Sequence, residues 1–149
     1  MTVGSLMNAT PVTVPLAETF AGAYRLMTSQ RLSSIPVVDT RGVYQGMFDF
    51  QDVWELLLPR AALLGMESLT NLAFLSEAVN KLHDKLEQAG SRPIREFLDA
   101  TAPPVHPDTP IKEVILLFHQ YNVSLPVVER GTNRLVGMIS PWEVLDALQ

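Results

Sequence analysis

Apolar residues along this chain alternate between two periods. Val12 to Val14 is a short β-branched run, and beyond it Phe20, Ala23, Tyr24 and Met27 recur at the three- and four-residue spacing of one helix face. Ile35-Pro36-Val37-Val38, a turn at Asp39 to Gly42 and a run from Val43 to Phe48 then predict a hairpin. A second helix begins near Phe50 and carries Val53, Trp54, Leu56 and Leu57, while a helical turn from Val3 to Met7 precedes everything. The predicted order is therefore β-α-β-β-α behind a short leader.

The same order comes again. Ser34-Ile35-Pro36-Val37-Val38-Asp39 returns as Ser124-Leu125-Pro126-Val127-Val128-Glu129, and Gly46-Met47-Phe48-Asp49-Phe50-Gln51-Asp52-Val53 returns as Gly137-Met138-Ile139-Ser140-Pro141-Trp142-Glu143-Val144. Upstream, Thr13-Val14-Pro15 and the run Phe20 to Met27 match Pro104-Val105-His106 and the run Ile111 to Phe118. The leader matches Ile94 to Leu98, and the last helix is expected from Pro141 to about Leu148. One such unit exposes a sheet face that a second covers. The expected fold is α/β (α+β): two pseudo-symmetric repeats packed sheet to sheet, residues 1–58 and 93–149. Between them, residues 59–92 form an inserted helical linker. Its residues Leu72, Leu75, Val79, Leu82 and Leu86 keep a 3-4-3-4 spacing with Glu77 and Lys81 on the flank, which predicts an amphipathic helix. That stripe packs on its own sheet or on the other repeat, or it serves dimerisation.

Composition narrows the partners. The 149 residues carry 11 Lys+Arg against 16 Asp+Glu, a formal charge of -5, with no basic run, which argues against a nucleic-acid partner. Zero Cys excludes disulfides and thiolate metal sites, and three scattered His offer no metal-ligand spacing. The first ten residues lack a basic and apolar leader pattern, and the most apolar stretch, Val53 to Met66, is interrupted by Glu55, Pro59 and Arg60. A cytoplasmic protein without membrane insertion is expected. Dinucleotide, Walker A, G-x-S-x-G and H-E-x-x-H signatures are all missing, so no enzyme activity is expected.

Two motifs carry polar groups worth weighing. Ser140-Pro141-Trp142-Glu143 is an S-x-x-E capping box with Pro at the first helical position, and Asp49-Phe50-Gln51-Asp52 starts with a good N-cap residue. Helix capping by itself accounts for both.

Taken in order and doubled, these motifs resemble the CBS domain, named from cystathionine beta-synthase, of which two copies form a Bateman module. The resemblance spans about residues 3–58 and 93–149. It implies a regulatory, non-catalytic sensor that binds an adenosine compound (AMP, ADP, ATP or S-adenosylmethionine) in clefts between the copies, often as a homodimer, acting on a regulated protein that the sequence does not identify. It also implies that a Ser/Thr sits beside phosphate and that an Asp three residues later accepts the ribose hydroxyls. A carboxylate suits a vicinal diol, since it offers acceptors only. Asp52 keeps the diol position while Asp49 replaces the Ser/Thr; Ser140 is kept while Glu143 replaces the Asp. A carboxylate about 4 Å from a phosphate repels it by roughly 1 to 4 kcal/mol. The second site is thus the better nucleotide candidate, and the first is left with a neutral adenosine-like group, a phosphate bridged by a cation such as Mg²⁺, or nothing. Further cleft walls implied by the resemblance are Ser34, Ile35 and Pro36, Ser124, Leu125 and Pro126, Thr10 and Val12, and Thr101 and Val105. Arg31, His106 and His119 are the basic residues nearest these positions. The alternative is a structural dimerisation or adaptor module with degenerate, empty clefts.

Overall fold

The computed structural model describes residues 1–58, 79–100, 102–121 and 123–149. The first copy opens with helix α1 (Val3–Leu6) and strand β1 (Val14–Pro15), which pairs in parallel with β2 (Ser34–Val38). Helix α2 (Phe20–Gln30) crosses between them. Thr19 starts it by accepting the Gly22 N–H on its side-chain oxygen at 3.2 Å, and Arg31 stops it in the left-handed region at φ 55. Strand β3 (Tyr44–Asp49) pairs antiparallel with β2, and helix α3 (Phe50–Leu57) follows directly. The first strand is shorter than the β-branched run predicts, and Val12 lies before it. Pro11 and Pro15 bracket this stretch and supply no N–H for a longer ladder.

The second copy contains α5 (Ile111–Tyr121), β4 (Leu125–Val128), β5 (Leu135–Ile139) and α6 (Pro141–Ala147). Its first strand is reduced to a single parallel bridge, Val105 to Val127, with prolines at 103, 104 and 107 preventing extension. Before it, a 3-10 turn at Ile94–Phe97 occupies the place of α1. The linker helix, α4 (Val79–Ala89), rests on α2 and α3, where Leu86 and Ala89 join the first core. It therefore packs on the helices of the first copy, not on a sheet. Val79, on the expected stripe, is 79% exposed, while Leu72, Leu75 and Glu77 lie outside the described residues. A His83–Glu87 pair at 3.2 Å flanks the helix.

Each copy has a core of its own, filled at equivalent places. Val14, Phe20, Ala23, Ile35, Val37, Phe48 and Val53 in the first answer to Val105, Ile111, Val114, Leu125, Val127, Ile139 and Val144 in the second. The leaders, however, change sides. Val3 is fully buried in the second core, and Ile94 is fully buried in the first. The backbone records the same exchange: Asn8 and Met138 trade hydrogen bonds at 2.8 and 2.9 Å, and Met47 and Asp99 trade two at 2.8 Å. A third bridge, Val43 to Arg134, joins the hairpins to each other.

The crossings explain two glycines. A Cβ on Gly137 would stand 2.8 Å from the Asn8 carbonyl oxygen, and one on Gly46 would stand 3.1 Å from Leu98 Cβ, at a φ of 147 that side chains disfavour. Both motif glycines therefore make room for the other copy's leader.

Candidate functional site

Where β3 runs into α3, the first motif folds into a reciprocal cap. The Asp49 N–H donates to Asp52 Oδ2 at 2.9 Å, and the Asp52 N–H donates to Asp49 Oδ1 at 3.3 Å. The cap aims both carboxyl groups into a cleft of about 450 Å³ between the copies. Ser34, Asp49, Asp52 and Glu55 line it from the first copy, while Leu98, Asp99, Tyr121 and Ser124 come from the second. The Met47–Asp99 backbone pair is what delivers Asp99 to this wall.

So much carboxylate in so little space disturbs proton equilibria. Burial, then repulsion from Asp49 and Asp99, pushes the Asp52 carboxyl up to about 8, against hydrogen bonding from the Asp49 backbone that pulls it down; the residue is 8% exposed. Asp49 is raised too, first by burial and then by Asp99. Nearby on β3, burial followed by the charges of Asp99 and Asp49 holds the Tyr44 phenol well above its ordinary value. Its buried hydroxyl has no hydrogen-bond partner among the described residues.

The second motif repeats the cap with different groups. The Ser140 N–H donates to Glu143 Oε2 at 3.0 Å, the Ser140 hydroxyl contacts the same oxygen, and Pro141 fills the first helical position. Where the first cleft receives Asp99, the equivalent strand pairing here presents Asn8, whose side-chain oxygen accepts the N–H of Thr10 at 3.0 Å.

The structure brings together Asp49, Asp52, Ser34 and Ser124 around one cleft and leaves the other described candidates elsewhere. Ile35 and Leu125 are fully buried in their cores, Pro36 and Pro126 are buried beside them, and Val105 belongs to the second core, so their side chains serve packing. Val12 packs against the first core, and Thr10 is exposed. Thr101 lies outside the described residues. Arg31 borders an apolar groove of about 270 Å³ with Tyr24, Phe50 and Trp54, away from the carboxylates. His106 Nδ1 lies 3.0 Å from the Val128 carbonyl oxygen, in a hollow shared with Thr109, Glu113 and Arg130. His119 is exposed on α5. Sequence reasoning missed Asp99 and Glu55. Glu55 was within reach, because it lies one helical turn beyond Asp52; Asp99 required knowing that the leaders cross. Among the described residues no group of three His, Cys, Asp or Glu is placed to hold a metal ion, and no helix is long and apolar enough to cross a membrane.

The CBS domain family profile matches residues 3–53 and 94–149. No curated protein sequence matches the chain. Among solved structures, protein MJ1004 from Methanocaldococcus jannaschii is 24% identical with a TM-score of 0.70, over 99% of this chain and 59% of that one. This chain thus spans less than two thirds of that protein. CBSX2 from Arabidopsis thaliana, solved in complex with AMP, is 17% identical with a TM-score of 0.71, over 99% of this chain and 95% of that one. The CBS domain pair of protein MJ0100, solved with 5'-methylthioadenosine and S-adenosyl-L-methionine, is 17% identical with a TM-score of 0.65, over 99% and 95%. At these identities the likeness establishes the fold, a mixed α and β body built from two repeats.

Proposed function

The chain belongs to the CBS domain family as a tandem pair, and from that premise we propose that it is a regulatory, non-catalytic module that holds an adenosine compound in the cleft between its copies. The observation that supports this reading is the cleft itself: about 450 Å³, walled by both copies, with Asp52 in its lining, Ser34 contributed by the first copy and Ser124 by the second. Asp52 accepts from the ribose hydroxyls, and a ligand held between the walls favours the relative placement of the copies in which both contacts are made. The adenosine ligands in the CBSX2 and MJ0100 structures support the same chemistry. The regulated partner is a protein, reached in the cytoplasm by a homodimer. Phe50 and Trp54 on α3, Trp142 and Leu145 on α6, and Leu148 just after it are exposed apolar side chains at related places in the two copies, and they give a second copy a matched surface.

Thermal unfolding with AMP, ADP, ATP and S-adenosylmethionine, with and without Mg²⁺, tests the reading. A ligand at about 100 times its Kd adds roughly 2.7 kcal/mol, on the order of 5 °C for a chain of this size. Tryptophan fluorescence in the same samples reports on the helices that follow both motifs, through Trp54 and Trp142 together. The competing reading, an adaptor with empty clefts, has one observation in its favour: the carboxylates of both motifs already cap their own helices. No shift with any of the compounds selects it.

A further inference from the structure

We infer that the cleft at the first motif accepts adenosine compounds whose 5' substituent is cationic or uncharged and turns away those that carry phosphate, with Asp49 and Asp99 setting the choice. The inference rests on the adenosine-binding reading above and specifies its ligand class. Asp49 occupies the helix start, where free N–H groups would otherwise meet a phosphate, and its Oδ1 already accepts the Asp52 N–H. The anion site of α3 is thus filled by the protein's own carboxyl group. Across the cleft, the Met47–Asp99 pairing holds a further carboxyl, and Glu55 adds another from the next turn of α3. The described residues lining this cleft include four carboxyl side chains and no Lys, Arg or His. Burial is the first cause of the raised protonation of Asp49 and Asp52, and the charge of Asp99 adds to it at both, so an additional negative charge here is opposed and a positive one relieves it.

The second copy provides the control. At the places of Asp49 and Asp99 it carries Ser140 and Asn8, both uncharged, on the same cap and the same leader pairing. The second copy keeps carboxyls at the places of Asp52 and Glu55, as Glu143 and Asp146, so what sets the first cleft apart is the pair Asp49 and Asp99, which the fold does not demand. Because serine caps the equivalent helix, Asp49→Ser keeps a cap residue, and Asp99→Asn copies the equivalent leader position.

Calorimetric titration of the full chain with adenosine, AMP, S-adenosylmethionine and S-adenosylhomocysteine tests this. Adenosine against AMP isolates the phosphate; the other two differ by one methyl group and the positive charge it places on sulfur. In the double variant D49S/D99N, AMP is expected to gain at least tenfold in affinity, or one further equivalent bound, while adenosine changes less than threefold. S-adenosylmethionine is expected to bind the native chain at least fivefold more tightly than S-adenosylhomocysteine, with that preference reduced in the variant. AMP titrations that superimpose for native chain and variant overturn the inference while leaving the adenosine reading intact. Heat from none of the four compounds overturns both. D99N alone, which leaves the α3 cap untouched, repeats the comparison with the cap out of the question.

Discussion

Where the first copy packs Phe20, Ala23 and Phe48, the second packs Ile111, Val114 and Ile139; where one motif gathers Asp49, Asp52 and Asp99, the other has Ser140, Glu143 and Asn8. The two kinds of difference are not alike. In the cores every exchange keeps an apolar side chain inward, so two sets of shapes satisfy one backbone path. At the motifs two of the three exchanges, Asp49 to Ser140 and Asp99 to Asn8, remove a carboxyl while the cap and the leader pairing persist. Packing tolerates substitution by volume, whereas the cleft's chemistry is decided by which of the polar groups are ionised.

The comparison breaks first in the cores. Phe48 stands edge-on to Phe20 at 5.7 Å, and Phe20 lies 4.8 Å from Phe97, an aromatic cluster with no counterpart around Ile139 among the described residues. Phe48→Ala is expected to cost about 3 to 5 kcal/mol and Ile139→Ala somewhat less, read from urea denaturation midpoints at constant m. Next come the crossings. Gly137→Ala forces a Cβ against the Asn8 carbonyl and is expected to destabilise by roughly 1 to 3 kcal/mol. Its signature is faster hydrogen exchange at the Asn8 and Met138 amides, which hold each other; unchanged exchange there would show that the leader does not depend on the glycine.

Charge gives the next smaller effect and applies to one copy only. Asp52 holds its proton more tightly when folded, so its contribution to stability is full below its ordinary value of 3.8 and is lost as pH rises through about 8. Melting temperature is expected to fall between about pH 4 and pH 8, and Asp52→Asn is expected to flatten most of that slope, with a remainder from Asp49. A variant whose slope equals the native one would place the titrating group elsewhere. The smallest effect is at the other motif: Ser140→Ala removes one cap and is expected to cost about 1 kcal/mol, nearly independent of pH over the same range. A strong pH dependence in that variant would erase the contrast between the motifs.

Much of this was readable in the chain. Helical spacing located α2 and α3, the Gly-to-Asp stretch located the end of β3, and the recurrence of Ser-Ile-Pro-Val-Val as Ser-Leu-Pro-Val-Val announced the doubling. These signals are local, set by periods and caps that neighbouring residues impose. The exchange of leaders is not local. Nothing in the period of Val3 to Met7 says which copy receives it, because both cores offer an apolar seat; Gly46 and Gly137 were the only marks, and a lone glycine has many causes. Asp99 was missed for the same reason, as was the seat of α4, whose apolar stripe fits a sheet, a helix pair or a second molecule equally well. At the motifs, capping and ligand binding call for the same residue types, so Ser140 and Glu143 are compatible with both.

The exchanged leaders also impose an order on the birth of the molecule. A chain synthesised from its N-terminus releases Val3 long before Val105, Val127 and Val144, the residues that enclose it, have been made. The first copy in turn waits for Ile94 to complete its interior. Contacts that close about a hundred positions of chain are slow to form, so neither half settles while the other is still missing. The copies are accordingly expected to unfold as one cooperative unit, and a fragment ending near the linker helix would leave the ribosome with one apolar seat unfilled and one leader without a seat.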